Sequence, residues 1–409
     1  MVKTEKSKAT GHKWQFKARF RQRAFGWKSQ PAITRVKEAL AEIKKAVKLD
    51  PCLAAEGSVS LIERLSPALE QVDSSSGAIG SAVNRAIEEL VPLIGQAPAS
   101  KELREQWLER LFEAHANDDI PYIEQLADFW GDLCGSKDVA SEWADRLIGT
   151  TRLALSPDKT VRGIFHGTSM CLSALLRSER YAAIIELLRD EKFWHYKLWA
   201  VKGLAAQGKK AEAIRLAESC RGPWSNDYQI DHMCEEILLS SGLVDEAYAR
   251  YGVSANRGGT YLATFRAVMK KYPQKPPSEV LSDLVKTTPG EEGKWFAAAK
   301  DAGLYAEAIE LARRTPCDPK TLTRAARDFA VKQPAFALEA GRLALSWLVE
   351  GYGYEITSVE VWAAYRETMR VAEGIGHAAE MKEVIRKMVA LETAADRFVR
   401  KVLGHELGL

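Results

Sequence analysis

Nucleophiles, imidazoles, thiols and acids are the groups that could do chemistry here, and their spacing limits what that chemistry could be. The seven histidines are His12, His115, His166, His195, His232, His377 and His405, and no HExxH or HxH spacing occurs among them. Structural zinc takes four ligands. The nearest approach, His232-Met233-Cys234 with Cys220, lacks a fourth ligand and a CxxC element, so no metal and no other cofactor is expected. Phe165-His166-Gly167-Thr168-Ser169 sets an imidazole three residues from a hydroxyl, within touching distance on a helix face, as a serine nucleophile and its base require. A mid-helix serine is poorly presented, however, and no G-x-S-x-G elbow occurs. The segment reads as a polar patch on a packed helix.

Two glycine-rich stretches could offer backbone N–H groups to an anion at a helix start. Asp73-Ser74-Ser75-Ser76-Gly77-Ala78-Ile79-Gly80-Ser81 has neither the lysine nor the preceding strand of a P-loop, and reads as an N-cap at Ser76 or a neighbour. Asn256-Arg257-Gly258-Gly259-Thr260 reads as close packing between repeats. The pairs Asp118-Asp119, Glu235-Glu236 and Glu291-Glu292 read as charges in first helical turns. No catalytic residue is assigned, and the chain is expected not to be an enzyme. The rival is a hydrolase or nuclease whose site assembles only in three dimensions.

The strongest signal lies near the N-terminus. Residues 13–28 hold five aromatics and six cations in sixteen positions. With period two, Trp14, Phe16, Ala18 and Phe20 face away from the cations; with helical period, Phe16, Phe20, Ala24 and Trp27 form a stripe. Periodicity therefore does not choose between strand and helix. Either way an aromatic face is split from a cationic one. Cations engage phosphates whatever the base sequence, and aromatic rings stack on unpaired bases. Lys13, Trp14, Lys17, Arg19, Arg21, Arg23, Trp27 and Lys28 are the expected nucleic-acid-binding residues, for DNA or RNA alike. The competing readings are aromatics that dock the segment on the body, and a peptide that docks on a protein or membrane surface.

Charge sets this segment apart. The 409-residue chain carries a formal charge of +3, yet residues 1–37 contain eleven Lys/Arg and one acid, Glu5. The rest holds 47 bases and 54 acids, a net of −7. A basic arm thus precedes a mildly acidic body.

The elements that position these residues read as helices. Ile33, Val36, Leu40, Ile43 and Val47 recur at three and four residues from a start near Pro31 to a stop at Asp50-Pro51. Further helical patterns cover roughly 53–72, 78–95, 101–116, 120–134 and 138–155, with Ser100 and Asp119-Ile120-Pro121 as starts. No convincing strand follows the arm, so the body is all-α. No run of about 18 uncharged apolar residues exists, so no membrane span is expected, and no apolar h-region suggests a secretory signal. Cys52, Cys134, Cys171, Cys220, Cys234 and Cys317 are scattered without CxxC, which reads as thiols of a reducing, cytoplasmic setting. Residues 1–11 are polar and read as disordered. Trp194, Trp199, Trp224, Trp295, Trp347 and Trp362 read mostly as core, with some free to line a groove.

An internal repeat begins near residue 158. Leu204-Ala-Ala-Gln-Gly208-Lys-Lys-Ala-Glu212-Ala213-Ile214, Leu238-Leu-Ser-Ser-Gly242-Leu-Val-Asp-Glu246-Ala247-Tyr248 and Ala299-Lys-Asp-Ala-Gly303-Leu-Tyr-Ala-Glu307-Ala308-Ile309 share one pattern. The glycines are offset by 34 and 61 residues, leaving room for a degenerate copy at Tyr272–Val280; Leu175–Ile185 is an upstream copy without the glycine. One helix ends, Gly turns the chain, and a second helix begins with a small Ala at the approach. The pattern resembles the tetratricopeptide repeat, whose period is about 34 residues. The stretch from Thr260 to Lys300 is similar to helical-repeat regions of bacterial proteins, some carrying a zinc-binding SWIM module, of which no Cys/His set is present here.

The resemblance implies a helical-repeat solenoid of tetratricopeptide-like helix pairs that acts as an adaptor for a protein or peptide partner on its repeat surface. The expected layout is a basic aromatic arm (1–37), an N-terminal helical section (38–157) and tetratricopeptide-like repeats (158–409). A nucleic-acid-binding protein proper is the alternative function.

Overall fold

A computed structural model describes residues 12–158, 160–222, 225–392 and 397–409. The segment 1–11, expected to be disordered, and Trp224, expected in the core, lie outside the described residues. Among the described residues the chain is all-α: twenty-two α-helices, short 3-10 turns and no strand. It forms two compact units, 1–230 and 231–409.

The first unit contains α1 (Phe16–Arg19), α2 (Ser29–Val47), α3 (Pro51–Leu69), α4 (Ala78–Gly95), α5 (Lys101–Ala116) and α6 (Trp130–Cys134). These are followed by α7 (Lys137–Ala154), α8 (Thr168–Arg177), α9 (Tyr181–Leu187), α10 (Trp194–Ala206) and α11 (Lys210–Ser219). The division between units falls inside α12 (Asp227–Leu239). Side-chain caps start several helices: Asp50 accepts from the N–H groups of Cys52 and Leu53, Ser100 from Leu103 and Ser136 from Val139. Each such cap contributes about 1 kcal/mol by satisfying an orphan donor. Leu61, Ile62, Leu65 and Leu69 of α3 and Ile79, Val83, Ile87 and Leu90 of α4 are fully buried. Trp130 and Trp143 meet edge to face with centroids 5.0 Å apart. A Cβ on Gly131 would fall 2.4 Å from the Ser173 carbonyl oxygen, so α6 and α8 approach backbone to backbone.

The single helix expected over 120–134 is not formed. Asp118 accepts from the N–H groups of Tyr122 (3.3 Å) and Ile123 (2.7 Å), consuming donors that would open a helix there. A 3-10 turn, Glu124–Phe129, runs instead into α6.

The second unit continues through α13 (Val244–Tyr251), α14 (Tyr261–Lys271), α15 (Pro277–Lys286), α16 (Phe296–Asp301) and α17 (Tyr305–Arg314). It ends with α18 (Pro319–Phe329), α19 (Pro334–Val349), α20 (Ser358–Gly374), α21 (Ala378–Ala390) and α22 (Phe398–Leu407). From α18 to α22 each helix packs on the next and the next but one. Glu235, expected as a first-turn charge, lies inside α12 and is fully buried. Its carboxylate takes Lys271 Nζ and Tyr272 Oη at 2.5 Å each and Asn256 Nδ2 at 2.6 Å. Burying a carboxylate demands such full pairing.

The repeated corner has one backbone geometry. Gly208, Gly242 and Gly303 take φ of +78°, +74° and +74°. In each, the next N–H bonds the carbonyl five residues back: Lys209 to Leu204, Leu243 to Leu238 and Leu304 to Ala299, at 2.9–3.0 Å. The copy without glycine does the same, with Glu179 at φ +60° and Arg180 bonded to Leu175 at 2.9 Å. The same backbone geometry recurs at Gly351 (φ +83°, Tyr352 to Trp347 at 2.8 Å), Gly376 (φ +78°, His377 to Ala372 at 2.8 Å) and Gly408 (φ +67°, Leu409 to Gly404 at 2.9 Å). Ala213, Ala247 and Ala308 are fully buried beyond their corners, and Ile184 holds that place after Glu179. At the degenerate copy, residues 272–276 join α14 to α15 without a left-handed glycine.

Candidate functional site

The last turn of α5, the turn Glu124–Phe129, and the starts of α8 and α10 enclose a cleft of about 610 Å³ in the first unit. His115 comes from α5, Glu124, Gln125 and Asp128 from the turn, His166 and Ser169 from the approach to α8, and His195 from α10. Three features hold these pieces together. Asp118 anchors residues 122 and 123, as described above. Ser173 donates to the Asp128 carbonyl at 2.8 Å and accepts from Gly131 N–H at 2.9 Å, tying the turn to α8. Glu191, its side chain 1% exposed, receives Arg162 at 2.8 Å and the N–H groups of Lys192 and Phe193 at 2.7 and 2.8 Å. That one buried carboxylate fixes both the start of α10 and the loop before α8.

Ser169 sits in the first turn of α8 and is buried; its Oγ lies 3.2 Å from His195 Nε2. The hydroxyl flagged by its spacing from His166 thus meets an imidazole from another helix. His166 and His115 line the same cleft. Among the described residues no carboxylate hydrogen-bonds His195, so the pair lacks the third group that would orient a catalytic base. Burial holds the His115 ring below the usual imidazole range; the ring's own hydrogen bond to the Glu124 backbone and the Asp118 charge push the other way, and His166 adds to the lowering. Burial pushes the Asp118 carboxyl up, against its hydrogen bonds to Ser66, Ile123 and Tyr122.

Two buried atoms of the cleft's lining residues have no hydrogen-bond partner: His115 Nε2 and Gln125 Oε1. The lining holds the acids Glu124 and Asp128 and no lysine or arginine. Sequence spacing singled out only His166 and Ser169. His115, His195, Glu124, Gln125 and Asp128 carry no local signal, because α5, the turn and α10 are brought together only by packing.

The basic arm lies on the first unit. Trp14, Phe16 and Phe20 are core residues, 4%, 2% and 1% exposed, in a run of ring contacts that continues to Phe25. Residues 16–19 form the short helix α1, and no other residue of 13–28 lies in a helix or a strand, so the segment is neither the strand nor the continuous helix that its periodicity allows. Glu42 accepts the N–H groups of Gln15 and Phe16 at 2.7 and 3.2 Å. Arg19 pairs with Glu38 at 2.7 Å, and Arg23 forks onto Glu70 at 2.8 and 3.0 Å. Of the expected nucleic-acid-binding residues, Trp14 has no open face for a base, because its ring is enclosed by the core. Trp27 is 72% exposed, Lys13, Arg21 and Lys28 are exposed, and Lys17 is half-buried. Among the described residues Lys13, Lys17, Arg21 and Lys28 form no ion pair.

No helix among the described residues is long and apolar enough to cross a membrane. Comparison with protein-family models and with curated proteins finds no match to this chain.

Proposed function

We propose that the chain is a non-enzymatic scaffold of tetratricopeptide-like helix pairs, stacked as a solenoid, that binds a protein or peptide partner on its helical surface. The observation that carries this reading is the corner at Glu179, Gly208, Gly242 and Gly303, where the same five-residue backbone bond is followed five residues on by a fully buried Ile184, Ala213, Ala247 or Ala308. A unit that reuses one corner sets successive helix pairs in a regular stack, and such stacks serve as extended binding surfaces. The scattered cysteines support a cytoplasmic setting.

The arm supports a second contact, with DNA or RNA. Lys13, Lys17, Arg21 and Lys28, with the exposed ring of Trp27, supply phosphate and stacking groups that the body does not neutralise. Arg19 and Arg23 are spent in part on Glu38 and Glu70, so the expected footprint is smaller than six cations. Affinity capture with the full chain, with and without nuclease, tests both contacts. Partners that persist after nuclease support the scaffold; partners lost with nuclease and with the fourfold change Lys13→Ala, Lys17→Ala, Arg21→Ala and Lys28→Ala support the arm. An empty capture under both conditions overturns the reading.

A further inference from the structure

We propose that the groove between α2 and α4 docks an acidic amphipathic helix of a partner protein; the proposal rests on the scaffold reading and names its partner's chemistry. The two helices run side by side in one direction. Before their starts, the Asp73 N–H donates to the Trp27 carbonyl at 2.9 Å, and toward their ends Lys44 Nζ pairs with Glu89 at 2.7 Å. Between them lies a groove of about 420 Å³, lined from residues 33–44 of α2 and 78–89 of α4. That is three helical turns, or about 16 Å. Val36, Leu40 and Ala86 are buried along its floor, with Ile33 and Ala82 half-buried. The exposed edges carry Lys37, Ala41 and Lys44 on one side and Ala78, Ser81 and Arg85 on the other. Between the cations the edge side chains are short, so the apolar floor stays open to a guest helix.

Charge names the occupant, and α2 itself shows the rule. Its acids Glu38 and Glu42 are turned to the basic arm, where Arg19 and the N–H groups of Gln15 and Phe16 take them. Its cations Lys37 and Lys44 are turned to the groove. The one acid in the groove lining, Glu89, is spent on Lys44. Among the described residues Lys37 and Arg85 form no ion pair. Residues 38–409 carry a net of −7, so an acidic partner is drawn to this groove and repelled by the surface around it. A helix laid in an apolar groove anchors itself through residues at i, i+3 or i+4, and i+7, a span the three turns accommodate. Carboxylates on its two flanks then reach Lys37 on one side and Arg85 on the other. A nucleic acid would meet the same cations and leave the apolar floor bare.

Panning a phage-displayed library of helical peptides, about four turns long, against the full chain tests the proposal. Selected peptides should carry Leu, Ile or Phe at the anchor spacing and Glu or Asp on the flanks. Fluorescence anisotropy with the best of them, synthesised and labelled, then measures affinity. Lys37→Glu with Arg85→Glu should weaken binding about tenfold or more and remove its salt dependence. Ala41→Trp with Ser81→Trp fills the groove at unchanged charge and should abolish binding. All four positions are exposed, so circular dichroism should be unchanged. Selection without the apolar–acidic pattern, or full affinity in both variants, overturns the proposal. Loss of single-stranded DNA binding on filling the groove would assign it to nucleic acid instead. A dimer in sedimentation that the filled groove abolishes would assign it to a second copy of the chain. Captured partners that persist when the groove is filled would leave the scaffold standing and overturn the groove; an empty capture by the unaltered chain would overturn the scaffold itself.

Discussion

The indole of Trp14 rests on the bare backbone of Gly57: a Cβ at that position would fall 2.5 Å from ring atom Cζ2. Gly57 lies inside α3, where glycine has no helical advantage, so its value is the space it leaves for the ring. Gly57→Ala should cost about 1–3 kcal/mol by overpacking, and Trp14→Ala about 3–5 kcal/mol by leaving a cavity. Urea unfolding measures both, and limited proteolysis should show cleavage within residues 13–28 in either variant. Unchanged stability of Gly57→Ala would remove the arm from the core.

Glu179 occupies a corner that glycine fills elsewhere. A non-glycine residue in the left-handed region costs about 1–2 kcal/mol, while its exposed pair with Lys137, at 2.6 Å, contributes about 0–1 kcal/mol. In a Lys137→Ala background, Glu179→Gly should therefore raise stability by about 1 kcal/mol. Gly303→Ala should lower it by a similar amount, since a Cβ there meets nothing within 4 Å and only the backbone is strained. Thermal unfolding of the three variants decides it. A costless Gly303→Ala would separate the corner geometry from stability.

Alkali should unfold the protein through its tyrosines. Tyr272 is raised above the ordinary 10.0 by burial and by its bond to Glu235, Tyr248 by burial and Asp283, and Tyr365 is pushed up to about 12 by burial and Glu406. Above pH 10 the unfolded chain releases these protons while the folded chain keeps them. The stabilisation is therefore complete below the unfolded value and is lost as pH rises toward the folded values. Each tyrosine contributes a slope of up to about 1.4 kcal/mol per pH unit. Denaturant titrations from about pH 9 to about pH 11 should show this fall, and Tyr272→Phe should flatten it by one proton. An unchanged alkaline slope in that variant would remove Tyr272 from the account.

Ser169 and His195 should not form a covalent catalyst. Among the described residues the His195 ring has no hydrogen-bonded carboxylate, and its Nε2 meets the serine hydroxyl alone. A serine-directed fluorophosphonate should leave the intact mass unchanged. An adduct on Ser169 that disappears in His195→Ala would reverse the non-enzymatic reading and make acyl transfer the function.

Much of the helical framework is legible in the residues themselves. The stretches 78–95 and 101–116 coincide with α4 and α5, and Ser100 caps as its type predicts. The corner is equally legible where Gly, Glu and Ala stand at fixed offsets. These features depend on neighbours within about one helical turn, which is the range of caps and of amphipathic periodicity.

Burial and convergence are decided elsewhere. The arm's alternation suits a free basic strand, a free helix or a docked segment; the gap at Gly57 and the carboxylates of Glu42, Glu38 and Glu70 make it docked. Asp118 breaks a helix that periodicity predicts, because its carboxylate can reach two N–H groups in the loop. Ser169 takes its imidazole from α10 and not from the neighbouring His166. His115 Nε2 and Gln125 Oε1 are buried without a hydrogen-bond partner among the described residues, which no local pattern in the sequence announces. Helix formation is set by local residues, whereas desolvation and the meeting of side chains are properties of the packed unit, and the tertiary structure alone supplies them.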